Sequence, residues 1–181
     1  MNYNFKATLD VKSLNKLAND LQDYAQNILT VKVENLVNIL ADKGISICYA
    51  NVGQEYGSYI AFKKEVEVDG GKCTAYVIGE DTQKITRYWR KDGGTASAEI
   101  SPLLMAEFGS GFKAKNPLDV SGVGQGTFPN QKHAFDPHGW WWTDLQGVTH
   151  HSEGESPTYP MYSAVLGLVY EINDAIYQAF G

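Results

Sequence analysis

The sequence predicts an α+β fold, an antiparallel β-sheet packed against a long N-terminal helix and a C-terminal helix. Three observations carry this: an apolar stripe at helical spacing near the start, alternating segments punctuated by Asp-Gly-Gly turns in the middle, and a second helical stripe at the end. The 181 residues, 43% of them apolar, can build a core without metals or disulfides. They read as a single structural domain over 1–181, with a body of 1–108 and 158–181 and an extended arm over 109–157.

Taken in order, residues 3–11 alternate loosely and read as a short opening strand. Leu14, Leu17, Leu21, Tyr24 and Ile28 then follow at spacings of three and four, and Leu29, Val33, Leu36, Val37 and Leu40 continue the helical period. Ser13 is the expected N-cap and Gly44 the expected stop. The β-branched residues after Thr30 lower helix propensity and place a break between residues 24 and 30. The pattern lacks the flanking charges of a sustained coiled coil, so a sheet of the same domain is the expected cover.

From Ile45 the period changes to two. Ile45, Ile47 and Tyr49 alternate with small or polar residues, and residues 59–68 and 73–79 repeat the style. Asp69-Gly70-Gly71 reads as a hairpin turn, because glycine accepts the positive φ that such turns require. A further strand over 84–90 closes at Asp92-Gly93-Gly94. Residues 99–108 are compact and apolar, whereas 109–157 are rich in Gly, Pro, Asn, Asp and aromatics and show no period. So long an irregular stretch suits an aromatic, glycine-rich arm ordered by neighbouring subunits. Helical spacing returns with Met161, Val165, Leu168, Val169, Ile172 and Ile176, and Pro160 fits the first turn.

Charge and composition narrow the function. A net charge of −6 argues against a protein that coats DNA, which needs a Lys/Arg excess. Lys84, Arg87, Arg90 and Lys91 read as a solvated basic face. The two cysteines, Cys48 and Cys73, sit in apolar surroundings and read as reduced core thiols in a chain made in the cytosol; the first ten residues lack the features of a secretory signal. No apolar run approaches the ~20 residues of a membrane span, so a soluble protein is expected. The 11 Tyr and 4 Trp suit interfaces, where one ring edge is dry and the other wet.

Possible chemistry is sparse. His133, His138, His150 and His151 gather near Asp136, Asp144 and Glu153, but in no metal-ligand spacing, and adjacent His150 and His151 diverge on extended backbone. Surface or interface histidines are therefore expected, and neither a metal nor a cofactor. Trp140, Trp141 and Trp142 alternate faces on a strand; they read as an interface or core anchor, with a sugar-stacking platform as the alternative. Gly109-Ser110-Gly111 and the glycines at 122, 124 and 126 lack the Gly-Lys-Ser/Thr ending of a phosphate loop. No nucleophile elbow or carboxylate pair stands out, so the expectation is a non-enzyme, with a metal-dependent hydrolase the weakest alternative.

One string is specific. Ala106-Glu107-Phe108-Gly109-Ser110-Gly111, with Ile100-Ser101-Pro102 before it, resembles the signature of a family of minor tail components of long-tailed bacteriophages, which covers head–tail joining, neck, tail-completion and tail-terminator-like proteins. Gly126-Thr127-Phe128-Pro129 through Trp142, and Pro157 through Pro160-Met161 into the last helix, follow the family's order, so the resemblance covers nearly the whole chain. It implies a structural virion protein forming a homo-oligomeric, hexameric ring at the head–tail junction or tail end, assembled in the bacterial host cytoplasm. Its neighbours would be connector or head-completion proteins and the tail tube, with passing DNA but no specific nucleic-acid binding and no membrane. Glu107, Phe108, Gly109 and Gly111 would then set subunit geometry, and Phe128, Trp140, Trp141 and Trp142 would pack between subunits.

Overall fold

The computed structural model describes residues 10–115 and 137–181, and over them the fold is α+β. Helix α1 (Val11–Asp23) runs through a π-helical turn (Tyr24–Leu29) into α2 (Thr30–Asn51). Strands β1 (Ile60–Asp69) and β2 (Lys72–Asp81) form a two-stranded hairpin. Strands β3 (Ile85–Lys91) and β4 (Gly94–Ile100), helix α3 (Pro102–Phe108), strands β5 (Trp140–Thr143) and β6 (Thr149–Ser152), and helix α4 (Pro160–Phe180) complete it. The second sheet has the order β4-β3-β5-β6, antiparallel throughout.

Several local expectations change. The helix cap is Asp10, whose carboxylate accepts the Ser13 N–H at 2.9 Å; Ser13 is the capped residue. Of the expected opening strand, Asp10 caps α1 and Val11 opens it, and residues 3–9 lie outside the described residues. The expected break appears as the π-turn, where the Thr30 hydroxyl donates to the Ala25 carbonyl at 3.3 Å. Gly44 does not stop the helix, and Ile45, Ile47 and Tyr49 are helical rather than extended. A Cβ on Gly44 would lie 3.1 Å from Val77 and 3.4 Å from Leu168, so glycine here lets neighbours approach the helix axis. Ala41, Gly44, Cys48 and Val52, all buried, carry the helical period through this stretch.

The hairpin turns follow expectation. Gly70 and Gly71 have φ of 53° and 89°, and Asp92 and Gly93 have 51° and 78°, the paired positive values of tight two-residue loops. Strand β3 pairs with β4 from Ile85↔Ile100 to Lys91↔Gly94. Strand β4 was not expected, nor was a β5–β6 hairpin within the stretch read as an irregular arm.

Packing groups the chain into two compact units. The first comprises residues 1–44, 64–77 and 167–181. In it α2 and α4 pack antiparallel: Lys43 bridges Glu171 and Asp174, each at 2.7 Å, and Lys32 donates to the Phe180 carbonyl at 3.2 Å. The buried residues on these helices are small (Ala41, Gly44, Ala175, Ala179), which lets the axes come close. Asp42 pairs with Lys64 of β1 at 2.7 Å.

The second unit comprises residues 45–63 and 78–166. Its core gathers Cys48, Val52, Tyr56, Ile60, Phe62, Met105, Ala106 and Ala164. The Tyr49 and Phe62 rings meet edge-on at 5.0 Å, and the Tyr49 hydroxyl accepts the Phe62 N–H at 3.2 Å. Helix α3 starts on a Ser101 cap with Pro102 at its first position. Asp81 accepts the Leu103 N–H at 2.8 Å; burial pushes its carboxyl up, but bonds from Lys84, Ser101 and Leu103 outweigh that and hold it below the usual range.

Candidate functional site

The Glu-Phe-Gly-x-Gly string folds as a clasp within the second unit. Gly109 caps α3 with φ 68°, its N–H bonding the Met105 carbonyl at 2.8 Å. From there the backbone runs beside residues 153–159 as an irregular ladder. Ser110 N–H donates to the Glu155 carbonyl at 2.9 Å, Phe112 N–H to the Glu153 carbonyl at 3.0 Å, and Glu155 N–H to the Ser110 carbonyl at 3.2 Å. Thr158 N–H and Tyr159 N–H both reach the Ala106 carbonyl, at 2.8 and 3.1 Å.

Glycine is required where these backbones touch. A Cβ on Gly109 would run into the Glu155 carbonyl and lie 2.8 Å from Pro157 Cδ. One on Gly111 (φ 60°) would strike the Trp140 ring and lie 2.9 Å from the Glu153 carbonyl. Facing them, Gly154 (φ 95°) meets the Ser110 carbonyl in the same way.

Glu107 closes the clasp. Its carboxylate is buried and accepts two backbone N–H groups, Met161 at 2.8 Å and Tyr162 at 3.0 Å, in the first turn of α4. Those N–H groups have no partner inside the helix, so Glu107 caps α4 from another element and offers negative charge to its positive end. Burial pushes its carboxyl above the usual range, outweighing the two bonds. Tyr159, just before the helix, takes φ 57°, a strained value for a side chain this large. Beside the clasp, Cys48 lies 3.7 Å from the Met161 sulfur; burial and the nearby Glu107 push its thiol up to about 11. A thiol so placed stays protonated at neutral pH and is a poor nucleophile. Both cysteines are free; Cys48 is fully buried and Cys73 half-buried.

The tryptophans stand on β5. Trp140 and Trp142 share one face and Trp141 the other, as alternation requires. Trp142 stacks on His150 across the β5–β6 pair at 4.5 Å, and His150 bonds Asp144 at 2.8 Å, which lowers that carboxyl. Trp141, 71% exposed, leans on its cross-strand partner His151 at 4.6 Å. His150 and His151 thus point apart, as their adjacency implied. The pairings Arg90↔Thr143 and Arg87↔Ala98 fix the sheet register, so Trp141, Tyr88, Arg90 and His151 share one exposed face.

Among the described residues no three His, Cys, Asp or Glu side chains gather as a metal site. His133, Asp136, Phe128 and the glycines at 122, 124 and 126 lie outside the described residues. Glu107, Gly109 and Gly111, read as setting subunit geometry, are occupied within the chain, as the clasp shows; Phe108 is half-buried. Among the described residues no helix is long and apolar enough to cross a membrane.

The sequence reading expected a sheet to cover the N-terminal stripe; among the described residues part of the first unit's apolar helical surface stays exposed. None of the side chains of α1 is buried, and Val11, Leu14 and Leu21 are exposed. On α4, Val169, Tyr170, Ile172, Ile176 and Tyr177 are exposed too, Tyr170 at 85% and Tyr177 at 78%. Compared with protein-family models, curated proteins and solved structures, the chain gives no match.

Proposed function

We propose that this chain is a structural subunit of a long-tailed phage or phage-like particle, forming a ring that completes the tail or joins it to the head. The observation that carries the reading is the apolar helical surface of the first unit. A helix with no buried side chain, together with an α4 face exposing two tyrosines and three aliphatic residues, is costly to leave in water and marks an association site. The resemblance carried by Glu107 to Gly111 supplies the identity of the assembly. The clasp gives such a subunit a rigid body, and its buried carboxylate and unreactive thiol serve packing rather than turnover. Its neighbours would be further copies of itself, connector or head-completion proteins and the tail tube, in the neck or tail of a virion.

Light scattering of the purified chain, with negative-stain images of the same peak, tests this reading. Rings with a central hole, formed alone or on added tail tubes, are expected. A chain that stays monomeric and ignores both tubes and heads would refute the reading.

A second reading rests on Trp141. Its exposed ring, leaning on His151 on an open sheet face, suits stacking against a sugar. Quenching or enhancement of Trp fluorescence on adding glycans would favour it, and silence across a glycan array would dismiss it.

A further inference from the structure

Alternation and register decide what the open face of the second sheet carries. Arg90 pairs with Thr95 on one side and Thr143 on the other, and Thr143 pairs with Thr149, so these four side chains cross the sheet as one row. Tyr88 lies two residues before Arg90 on β3. Because β5 runs antiparallel to β3, Trp141 lies two residues beyond Arg90 on the neighbouring strand. Trp141, Arg90 and Tyr88 therefore follow one another along the same face, roughly 14 Å from end to end at about 3.4 Å per residue. Trp141 is 71% exposed and Tyr88 54%. Arg90 is exposed and bonds no acidic side chain among the described residues. Its guanidinium reaches over Gly147, where no side chain covers it.

Trp141 is held in place before any ligand arrives. Its ring leans on His151 at 4.6 Å, and His151 Nε2 lies 2.7 Å from the His138 carbonyl. A carbonyl only accepts, so that nitrogen carries a proton and donates. Gly139, at φ 64°, lets the two segments meet: a Cβ there would run into the Ser152 carbonyl and lie 3.0 Å from His151 Nε2. A ring fixed in this way gives up little side-chain freedom on binding.

The composition of the face selects its occupant. The two exposed rings offer roughly 250 Å² at about 200 Å² per aromatic side chain, well under the ~800 Å² that each partner of a standard protein interface contributes. A nucleic-acid strand needs several cations, whereas this face has Arg90, with Glu99 at its far edge and Asp92 in the turn at the Trp141 end. Flat rings spaced along a row of hydroxyls and a guanidinium match a carbohydrate chain. Its C–H faces stack on aromatic rings, and its hydroxyls both donate and accept. No single sugar ring spans the distance from Trp141 to Tyr88.

We infer that this face binds a neutral oligosaccharide laid along β3, one unit stacked on Trp141, another on Tyr88, and Arg90 bonding hydroxyls between them. The inference rests on the sugar-stacking reading of Trp141 and gives that site its chain length and charge class.

Isothermal titration calorimetry of the full chain tests it. The probes are neutral gluco-, manno-, xylo- and chito-oligosaccharides from single sugars to hexamers, oligogalacturonates, and oligothymidylate. At least one neutral series should bind with an affinity that rises about tenfold or more from the single sugar to the hexamer. Tyr88→Ala should remove that rise and leave single-sugar binding, Tyr88→Phe should keep it, and Trp141→Ala should abolish binding altogether. Both positions are exposed, so the circular dichroism spectra and Tm of the variants should match wild type. Binding that depends on Trp141 but not on chain length, or that is tighter for oligogalacturonate, would overturn the inference and leave the sugar-stacking reading standing. Oligothymidylate bound in preference to every saccharide, or no saccharide bound at all, would overturn both.

Discussion

The clasp around Glu107 and the stripe on α1 show two uses of a sequence. In the clasp, almost every polar group meets a partner in the same chain, and three glycines allow backbones closer than any side chain would permit. On α1, an equally regular pattern leaves Val11, Leu14 and Leu21 exposed among the described residues. A segment whose pattern is satisfied internally holds the fold, and one whose pattern is left over is available to a neighbour. Substitutions in the first should cost stability, and those in the second should cost association.

The sharpest contrast is at Gly109. Gly109→Ala adds a Cβ at positive φ, against the Glu155 carbonyl and Pro157, and should destabilise the chain by about 3 kcal/mol or more, read from chemical denaturation. A loss under about 1 kcal/mol would mean that the clasp yields easily. Glu107→Ala should follow at about 1–3 kcal/mol, since it orphans two N–H groups of α4, and Glu107→Gln should retain part of that. Equal loss in the two variants would deny that the carboxylate acts as a cap.

Glu107 also gives a pH signature. Its folded-state pKa is raised, so the folded chain holds this proton more tightly than the unfolded chain. Its contribution is fully present below the ordinary glutamate pKa of about 4.3 and is lost as pH rises through the folded value. Asp81, Asp144 and Asp174, whose carboxyls are lowered, act in the opposite sense, their contributions fading as pH falls. The difference in unfolding free energy between wild type and Glu107→Gln isolates the first effect: wild type should lose ground to the variant as pH climbs above 4.3 or so. A difference that moves the other way would mean that the two N–H bonds outweigh burial.

The smallest effect on folding belongs to Trp141. Trp141→Ala removes an exposed ring and one cross-strand contact with His151, so stability should change by less than about 1 kcal/mol. Loss of assembly with an unchanged melting curve would add the open sheet face to the contact surfaces. Unchanged assembly would leave that face to the sugar-stacking reading.

The elements legible in the sequence are those with local causes. The Asp-Gly-Gly turns are required by positive φ, and the C-terminal helix shows both its period and Pro160 at its start. Residues 45–49 carried two patterns at once, alternation through Ile45, Ile47 and Tyr49 and a helical period through Ala41, Gly44, Cys48 and Val52. The helical one prevails because Val77 and Leu168 pack against Gly44, a tertiary fact. Strand β4, Gly-Thr-Ala-Ser-Ala-Glu-Ile, has no large residues to alternate, and the Trp run of β5 offers no polar partner to set a period. The string Glu107 to Gly111 stood out in the sequence, but its role did not, because Glu107 caps residues more than fifty positions later. The stripe on α1 was visible as spacing; the exposure of Val11, Leu14 and Leu21 was not.

The most direct test of that last point is the solution mass of wild type and Leu21→Glu, measured side by side by light scattering over a range of concentrations. The account predicts a discrete oligomer for wild type and a single chain for the variant, both with the same melting temperature. Equal masses at every concentration would contradict it.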